Sequence, residues 1–340
     1  MSIKSATIGH YLTAAALLYT ARKVANPYTD ESIATNYPKI LTDALKKYEK
    51  VAKRRQVITD SMFEYILQQG HDKSPDSLEN TFQDWAVWSR YSGPRRSEWC
   101  QTTKTKYEKV EPGTIDEARA FIAADFTFYD ATGKSVNPDR ETVTRVAYAE
   151  VTWRYQKNRD NGEAIKYYKD NKNTKWCPCR AIWNIFQRAK RLGIPAHEPI
   201  AKYKDKKGKI FFITDKDVKS ILQSAAKEVL NITDETILSK WTSHSLRVTA
   251  ANELHRLGFS DAFIKQRLRW RSDVFMIYLR HTIHVARQHS QEMSFSSENK
   301  ALQESNLKKK NERLKGLIEY RSPTCDDILW EQQLYVSAAA

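Results

Sequence analysis

The sequence predicts an α+β protein, mainly helical, with one small antiparallel β-sheet set among the helices. Three observations lead there. Most of the chain repeats its apolar residues at helical spacing behind residues able to cap a helix, as at Thr59-Asp60, Asp76-Ser77, Thr214-Asp215, Ser243 and Ser260-Asp261. Between 118 and 170 the pattern changes to aromatic and β-branched residues at a period of two, with Thr132-Gly133 and Asn161-Gly162 as turn dipeptides. No apolar run approaches the roughly 18 residues of a membrane span, so no membrane partner is expected.

The elements follow in order. Residues 1 to about 25 read as one amphipathic helix, broken at Asn26-Pro27, and a second helical stretch runs from about Ile33 to Lys53. Such a lone helix buries too little to fold alone. Thr59-Asp60 caps a helix carrying Met62, Phe63, Tyr65 and Ile66, with a loop from Gly70 to Pro75. The next helix places Leu78, Phe82, Trp85 and Ala86 on one side and stops at Gly93-Pro94. Arg95-Arg96-Ser97-Glu98 then opens a further helical turn. An arginine there has the wrong sign for the helix dipole, so it is either solvated or kept to hold an anion.

Phe121–Tyr129 and Ala147–Lys157 are expected strands, the second alternating Ala149, Val151, Trp153 and Tyr155 with Glu150, Thr152, Arg154 and Gln156. A hairpin is expected at 158–162, with Lys157 where strand meets turn. A helix over about Cys179 to Leu192 has Ala181, Ile182, Ile185 and Phe186 as its apolar face and Arg180, Arg188, Lys190 and Arg191 as its basic one. A lysine-rich loop covers 201–208 and a short strand 209–214. The helix after Thr214 carries Val218, Ile221, Leu222, Ala225, Ala226 and Val229 on one side.

From Ser243 to His281 three short helices succeed one another. Ser243 caps the first, Leu246, Ala250, Leu254 and Leu257 recur along it, and Gly258 offers a left-handed stop; Ser260-Asp261 and Ser272-Asp273 start the other two. His244 and Arg247 share a face of the first, and Tyr278 falls on the third. Beyond a polar stretch at 290–305, residues 307–321 form a basic amphipathic helix.

The totals constrain the partner. With 340 residues, length alone suggests two or three domains. Lys and Arg exceed Asp and Glu by 56 to 41, a net charge of +15 that points first to nucleic acid, provided the excess is concentrated somewhere. Cys100, Cys177, Cys179 and Cys325 are too few and too scattered for a disulfide framework, and Cys177-Pro-Cys179 lacks a second Cys/His pair for zinc. A reducing compartment follows, nucleus for a eukaryotic source and cytoplasm otherwise, without secretion. Internal repeats and P-loop, H-E-x-x-H or G-x-S-x-G motifs are absent.

Ser92-Gly93-Pro94-Arg95-Arg96-Ser97-Glu98, Lys157, His244-Ser245-Leu246-Arg247, Trp270 and Tyr278 stand in the order and rough spacing of the tyrosine recombinase (phage integrase) family, which the chain resembles. The family's T-G-x-R-x-S-E motif is matched with Ser for Thr, and its H-x-L-R motif in full. Leu268-Arg269-Trp270 replaces the commoner L-G-H, and the interval to the tyrosine is one residue shorter than in many bacterial members. Residues 269–280 are similar to the R-W-x-S-D-x-F-x-x-Y-x-R block of the recombinases of eukaryotic mobile elements, the Crypton and DIRS groups.

The resemblance covers about residues 40 to 290. It implies a remnant of a helical core-binding domain at 1–30, a linker and leading helix at 31–57, a catalytic domain at 58–290, and a tail with an amphipathic helix at 291–340. It implies a DNA breaking and rejoining enzyme, with Tyr278 the nucleophile, Arg95 and Arg247 the phosphate clamp, His244 the base, Lys157 the acid on the departing 5′-hydroxyl, Trp270 beside the phosphate, and Glu98 orienting its neighbours. Arg159 and Lys166 keep the identity of the acid open; with Arg96, Arg269 and Arg271 they are also candidates for DNA contact. Double-stranded DNA and a tetramer on two DNA sites are the implied partners, with no small-molecule substrate, cofactor or metal. A type IB topoisomerase, or a DNA-binding protein that has lost strand exchange, would share most of these features.

Overall fold

Caps set the helix boundaries where the sequence places them. In the computed structural model, which describes residues 5–24, 54–110, 117–156 and 161–270 together with 276 and 279, Thr59, Ser77 and Thr214 each accept a backbone N–H from the first turn that follows. Such caps are worth about 1 kcal/mol each. The expected helices at 33–53 and 307–321, the restart at Ser272-Asp273, the polar stretch at 290–305 and Cys325 lie outside the described residues, as do Lys157, Arg159, Arg271 and Tyr278. Two units divide the chain, Met1–Ala250 and Ala251–Ala340.

The first unit opens with α1 (Ser5–Ala21), whose Tyr11, Leu17 and Leu18 are exposed. Helices α2 (Asp60–His71) and α3 (Leu78–Ser92) follow, then the single turn α4 (Arg96–Trp99). Gly70, expected in a loop, is the buried residue of the last turn of α2, where Asn80 donates to its carbonyl at 2.8 Å. Strands β1 (Phe126–Tyr129), β2 (Tyr148–Trp153) and β3 (Glu163–Tyr168) form an antiparallel sheet in the order β1-β2-β3. Alternation along β2 buries Ala149, Val151 and Trp153 and turns Tyr148 outward, into a ladder with Tyr129 and Tyr168 at 5.0 and 5.3 Å. The strand ends at Trp153, earlier than Lys157, because Arg154 leaves the ladder to bond Asp125, Glu117 and two carbonyls.

Helix α5 (Pro178–Arg191) packs on the sheet through Trp183 and Phe186, both edge-on to Phe128. Its N-cap is a sulfur: Cys177 Sγ accepts from Arg180 and Asp170 N–H, which gives the C-x-C pair a structural duty. Arg188 departs from the expected basic face. It is 3 % exposed and reaches through the core to Asp84, Asn80 and the Pro75 carbonyl.

The lysine-rich loop is instead a second hairpin, β4 (Lys202–Lys204) with β5 (Ile210–Phe212), where alternating lysines hid the first strand. Helix α6 (Asp215–Leu230) buries Val218, Leu222, Ala225 and Ala226, and ends on Asn231 in the left-handed region at φ 53°. A short helix the periodicity did not predict, α7 (Glu235–Leu238), leads to α8 (Ser243–Arg256). Ser243 is the first residue of α8 rather than its cap, and its hydroxyl donates to Asp215.

The core of the first unit is aromatic. Trp85, Trp88, Trp99, Phe121 and Trp153 meet with ring centroids between 5.0 and 6.5 Å, each pair adding about 0.5–1.5 kcal/mol to simple burial. In the second unit Gly258, at φ 80°, ends α8, with Leu257 exposed rather than on the core stripe. Ser260 then caps α9 (Asp261–Arg267) through the Phe263 N–H. None of the described helices is long and apolar enough to cross a membrane.

Candidate active site

The turn between α3 and α4 is built by three residues in a row. Gly93 takes the left-handed conformation at φ 49° that a helix C-terminus favours, and its N–H bonds the Ser89 carbonyl at 2.8 Å. Pro94 cannot continue the helix, and Arg95, extended at φ −73° and ψ 151°, is the N-cap of α4. Glu98 then closes on it. One carboxylate oxygen accepts the Arg95 backbone N–H at 2.7 Å and the other accepts Nη1 of the same residue at 2.9 Å.

Glu98 is 4 % exposed and held from behind, where the Trp153 indole N–H donates to Oε2 at 3.3 Å and the Phe121 N–H to its carbonyl at 2.8 Å. A carboxylate in the first turn suits the helix dipole and offsets the arginine that precedes it. The Arg95 side chain keeps 21 % of its surface open. The turn thus presents a guanidinium held by a buried acid.

Helix α8 delivers the second arginine to the same turn. Arg247 is 2 % exposed and its Nη1 donates to the Gly93 carbonyl, two residues before Arg95. Its helix is fixed by the 54–58 segment: Gln56 N–H bonds the Lys240 carbonyl, Trp241 indole N–H the Val57 carbonyl, and Ile58 N–H the Thr249 hydroxyl. The same segment brings Arg55, which donates to the Ser239 carbonyl at 3.2 Å. His244 lies one turn before Arg247. Burial, then the charges of Arg247 and Arg55, push its imidazole down to about 4, so it is neutral at pH 7.

The remaining expected residues divide. Arg96 points away from the turn into an ion pair with Glu108 at 3.0 Å, and the Thr102 hydroxyl donates to the same carboxylate oxygen. Lys166 stands on the outer sheet face, its ammonium 5.5 Å from the centre of the Tyr148 ring. In the second unit, Arg269 takes the left-handed conformation at φ 59° and is 3 % exposed. Its N–H bonds the Gln266 carbonyl at 2.9 Å, and the Trp270 N–H bonds the Lys265 carbonyl at 2.7 Å. Together they close the end of α9 in a Schellman motif. The side chain of Arg269 is buried.

Arg95, Glu98 and Arg247 are thus brought to one turn, with His244 on the helix that delivers Arg247. Two guanidiniums and a neutral imidazole suit a tetrahedral oxyanion that loses or gains a proton as it reacts. The sequence pattern marks Trp153 as an inward strand residue and misses its place behind Glu98. A signal exists nonetheless: an indole at the last inward position of an alternating strand needs a partner for its N–H.

No family model matches the chain, and no curated protein matches it. Among solved structures the chain is similar to XerA recombinase, at 12 % identity over 86 % of this chain and 84 % of that one, with a TM-score of 0.40. It is also similar to the Tn1549 transposon integrase in complex with circular intermediate DNA, at 15 % identity over 86 % of this chain and 81 % of that one, TM-score 0.40. A Tn1549 integrase variant in complex with transposon right end DNA gives 15 % identity, 86 % of each chain and a TM-score of 0.41.

Proposed function

We propose that this protein breaks and rejoins DNA through a 3′-phosphotyrosyl intermediate, in the manner of a tyrosine recombinase. The observation that carries the reading is the bond from Arg247 to the Gly93 carbonyl. It places the arginine of the H-x-L-R motif on the turn that holds the arginine of the first motif, although 152 positions separate Arg95 from Arg247 in the sequence.

The chemistry uses what the turn offers. Attack by the Tyr278 oxygen on a DNA phosphodiester forms a P–O bond and breaks the bond to the 5′ oxygen, through a pentacoordinate species with added negative charge on its nonbridging oxygens. Guanidinium groups donate in a planar fork to such oxygens, and Arg95 and Arg247 supply two of them. A tyrosine with an ordinary pKa of about 10 is ionised only about once in a thousand molecules at pH 7. Neutral His244 takes its proton, and Lys157 gives one to the departing 5′-hydroxyl. Reversal with a different 5′-hydroxyl rejoins the strand, so the phosphotyrosine bond conserves the energy of the one broken. Trp270 borders the phosphate. The action is site-specific, integrating or excising an element as a tetramer on two duplexes.

A nicked suicide duplex, from which the cleaved 5′-hydroxyl fragment is lost, tests the reading. The wild-type chain is expected to become covalently attached and Tyr278→Phe to show no attachment. Attachment undiminished in Tyr278→Phe would overturn the assignment of the nucleophile, and relaxation of supercoils without synapsis of two sites would favour a type IB topoisomerase instead.

A further inference from the structure

We infer that the β4–β5 hairpin is a sequence-independent DNA-backbone grip, separate from the phosphate turn; this rests on the recombinase proposal, in which the partner is DNA. The run from 202 to 209 is Lys-Tyr-Lys-Asp-Lys-Lys-Gly-Lys, five lysines against one acid. The acid is spent on the fold: Asp205 Oδ1 accepts the Lys207 and Lys209 N–H groups at 2.9 and 2.8 Å, and Gly208, at φ 83°, completes the turn. Lys202 is buried against Glu198 and Phe212. Lys204, Lys206, Lys207 and Lys209 are exposed, and among the described residues none has an ion-pair partner.

Some exposed cations elsewhere in the unit are answered by acids, as Lys175 is by Glu64, Lys190 by Asp139, Arg191 by Asp76 and Arg145 by Glu141, and those without an acid among the described residues, such as Lys134, Lys172 and Lys227, are scattered along the chain. What sets the hairpin apart is concentration: four such lysines fall between 204 and 209.

Its aromatic residues organise that charge. Lys104 and Lys209 lie 5.7 and 5.2 Å from the centre of the Phe211 ring, and Lys104 also donates to the Tyr203 hydroxyl at 3.0 Å. Lys104 is paired with Asp217 at 3.5 Å, whereas the ring face steadies the Lys209 ammonium without neutralising it. The base of the hairpin is zipped to the chain leaving α4: Phe212 N–H bonds the Lys104 carbonyl, Gln101 N–H the Ile213 carbonyl, and Asp215 N–H the Gln101 carbonyl, at 2.9, 2.9 and 3.1 Å. The grip is thereby tied to the turn that carries Arg95.

The side-chain chemistry names the ligand class. Lysine is a strongly hydrated point charge suited to phosphate oxygens and, among base edges, to guanine alone, whereas discriminating readout of guanine and adenine relies chiefly on the planar donors of Arg, Asn and Gln. None of those three occurs between 202 and 209. Lysines on phosphates position a duplex without specifying its sequence.

The test is equilibrium binding of the full chain to an intact duplex of random sequence across a salt series. The triple variant Lys206→Gln/Lys207→Gln/Lys209→Gln should make the log–log salt slope shallower by about 0.9 for each phosphate that is no longer neutralised, roughly two to three units in all, and by the same amount on unrelated sequences. Restoring charge with Lys206→Arg/Lys207→Arg/Lys209→Arg should restore the slope. An unchanged slope in the Gln variant overturns the inference. So does an equal change in the control Lys134→Gln/Lys172→Gln/Lys227→Gln, or loss of binding to phosphatidylserine vesicles with DNA binding intact. Covalent capture is scored separately. A hairpin-dependent slope without capture counts against the recombinase reading alone, and capture with a slope the hairpin does not move counts against the grip alone.

Discussion

Asp84 and Glu98 each hold an arginine beside the same aromatic core, but the two arginines meet different surroundings. Arg188 is enclosed: its side chain is 4 % exposed and it bonds Asp84, Asn80 and the Pro75 carbonyl. Burial raises the Asp84 carboxyl above its usual range even against the nearby guanidinium, a sign of how costly the pair is to bring out of water. Arg95 rests on an equally buried acid yet keeps a fifth of its own side chain at the surface. A pair closed on both sides can only brace α3 against α5. A pair closed on the acid's side alone holds a charge in place for something else to bind.

The largest effect should come from breaking the closed pair. Asp84→Ala leaves the Arg188 charge buried and is expected to cost about 3–5 kcal/mol, read as a drop of roughly 10 °C in thermal midpoint. The double change Asp84→Leu/Arg188→Met should recover most of it, since an apolar pair of similar volume replaces the ionic one.

The open pair should respond the other way round. Arg95→Ala is expected to slow covalent capture of the suicide duplex by about 10²–10³ while moving the melting midpoint far less than Asp84→Ala does. Equal damage to stability in both variants would erase the distinction between them.

A smaller effect is expected behind the site. Trp153→Phe preserves the core ring and removes one donor to Glu98, for about 1 kcal/mol. Capture should slow several-fold, with the loss depending on Glu98: in a Glu98→Gln background the same substitution should add little.

A separate effect concerns pH. His244 takes up its proton near 6.5 in the unfolded chain and only near 4 in the fold. Between those values the unfolded state binds more protons, so stability falls as pH is lowered from 6.5 towards 4. His244→Gln should flatten that part of the curve, measured by urea denaturation.

Much of this architecture is legible in the sequence because it is local. Thr59, Ser77, Thr214 and Ser260 announce their helices, and the alternation from Ala149 to Trp153 announces a strand. Failures occur where a polar side chain has a distant partner. Arg188 looks like a surface cation until Asp84 is placed beside it, and Arg96 looks available until Glu108 meets it. The Arg95–Glu98 pair is readable from three-residue spacing, whereas the bond from Arg247 to Gly93 spans 154 positions and needs the fold.

The aromatic core also gives the site an optical voice. Trp85 and Trp99 lie face to face at 5.0 Å and 19°, close enough for their excited states to couple, while Trp88 at 5.4 Å from Trp85 links them to Trp153 at 5.9 Å. Trp153 is also the indole that donates to Glu98. Near-ultraviolet circular dichroism of this cluster therefore registers the carboxylate that steadies Arg95, and occupancy of the turn can be followed without attaching any label.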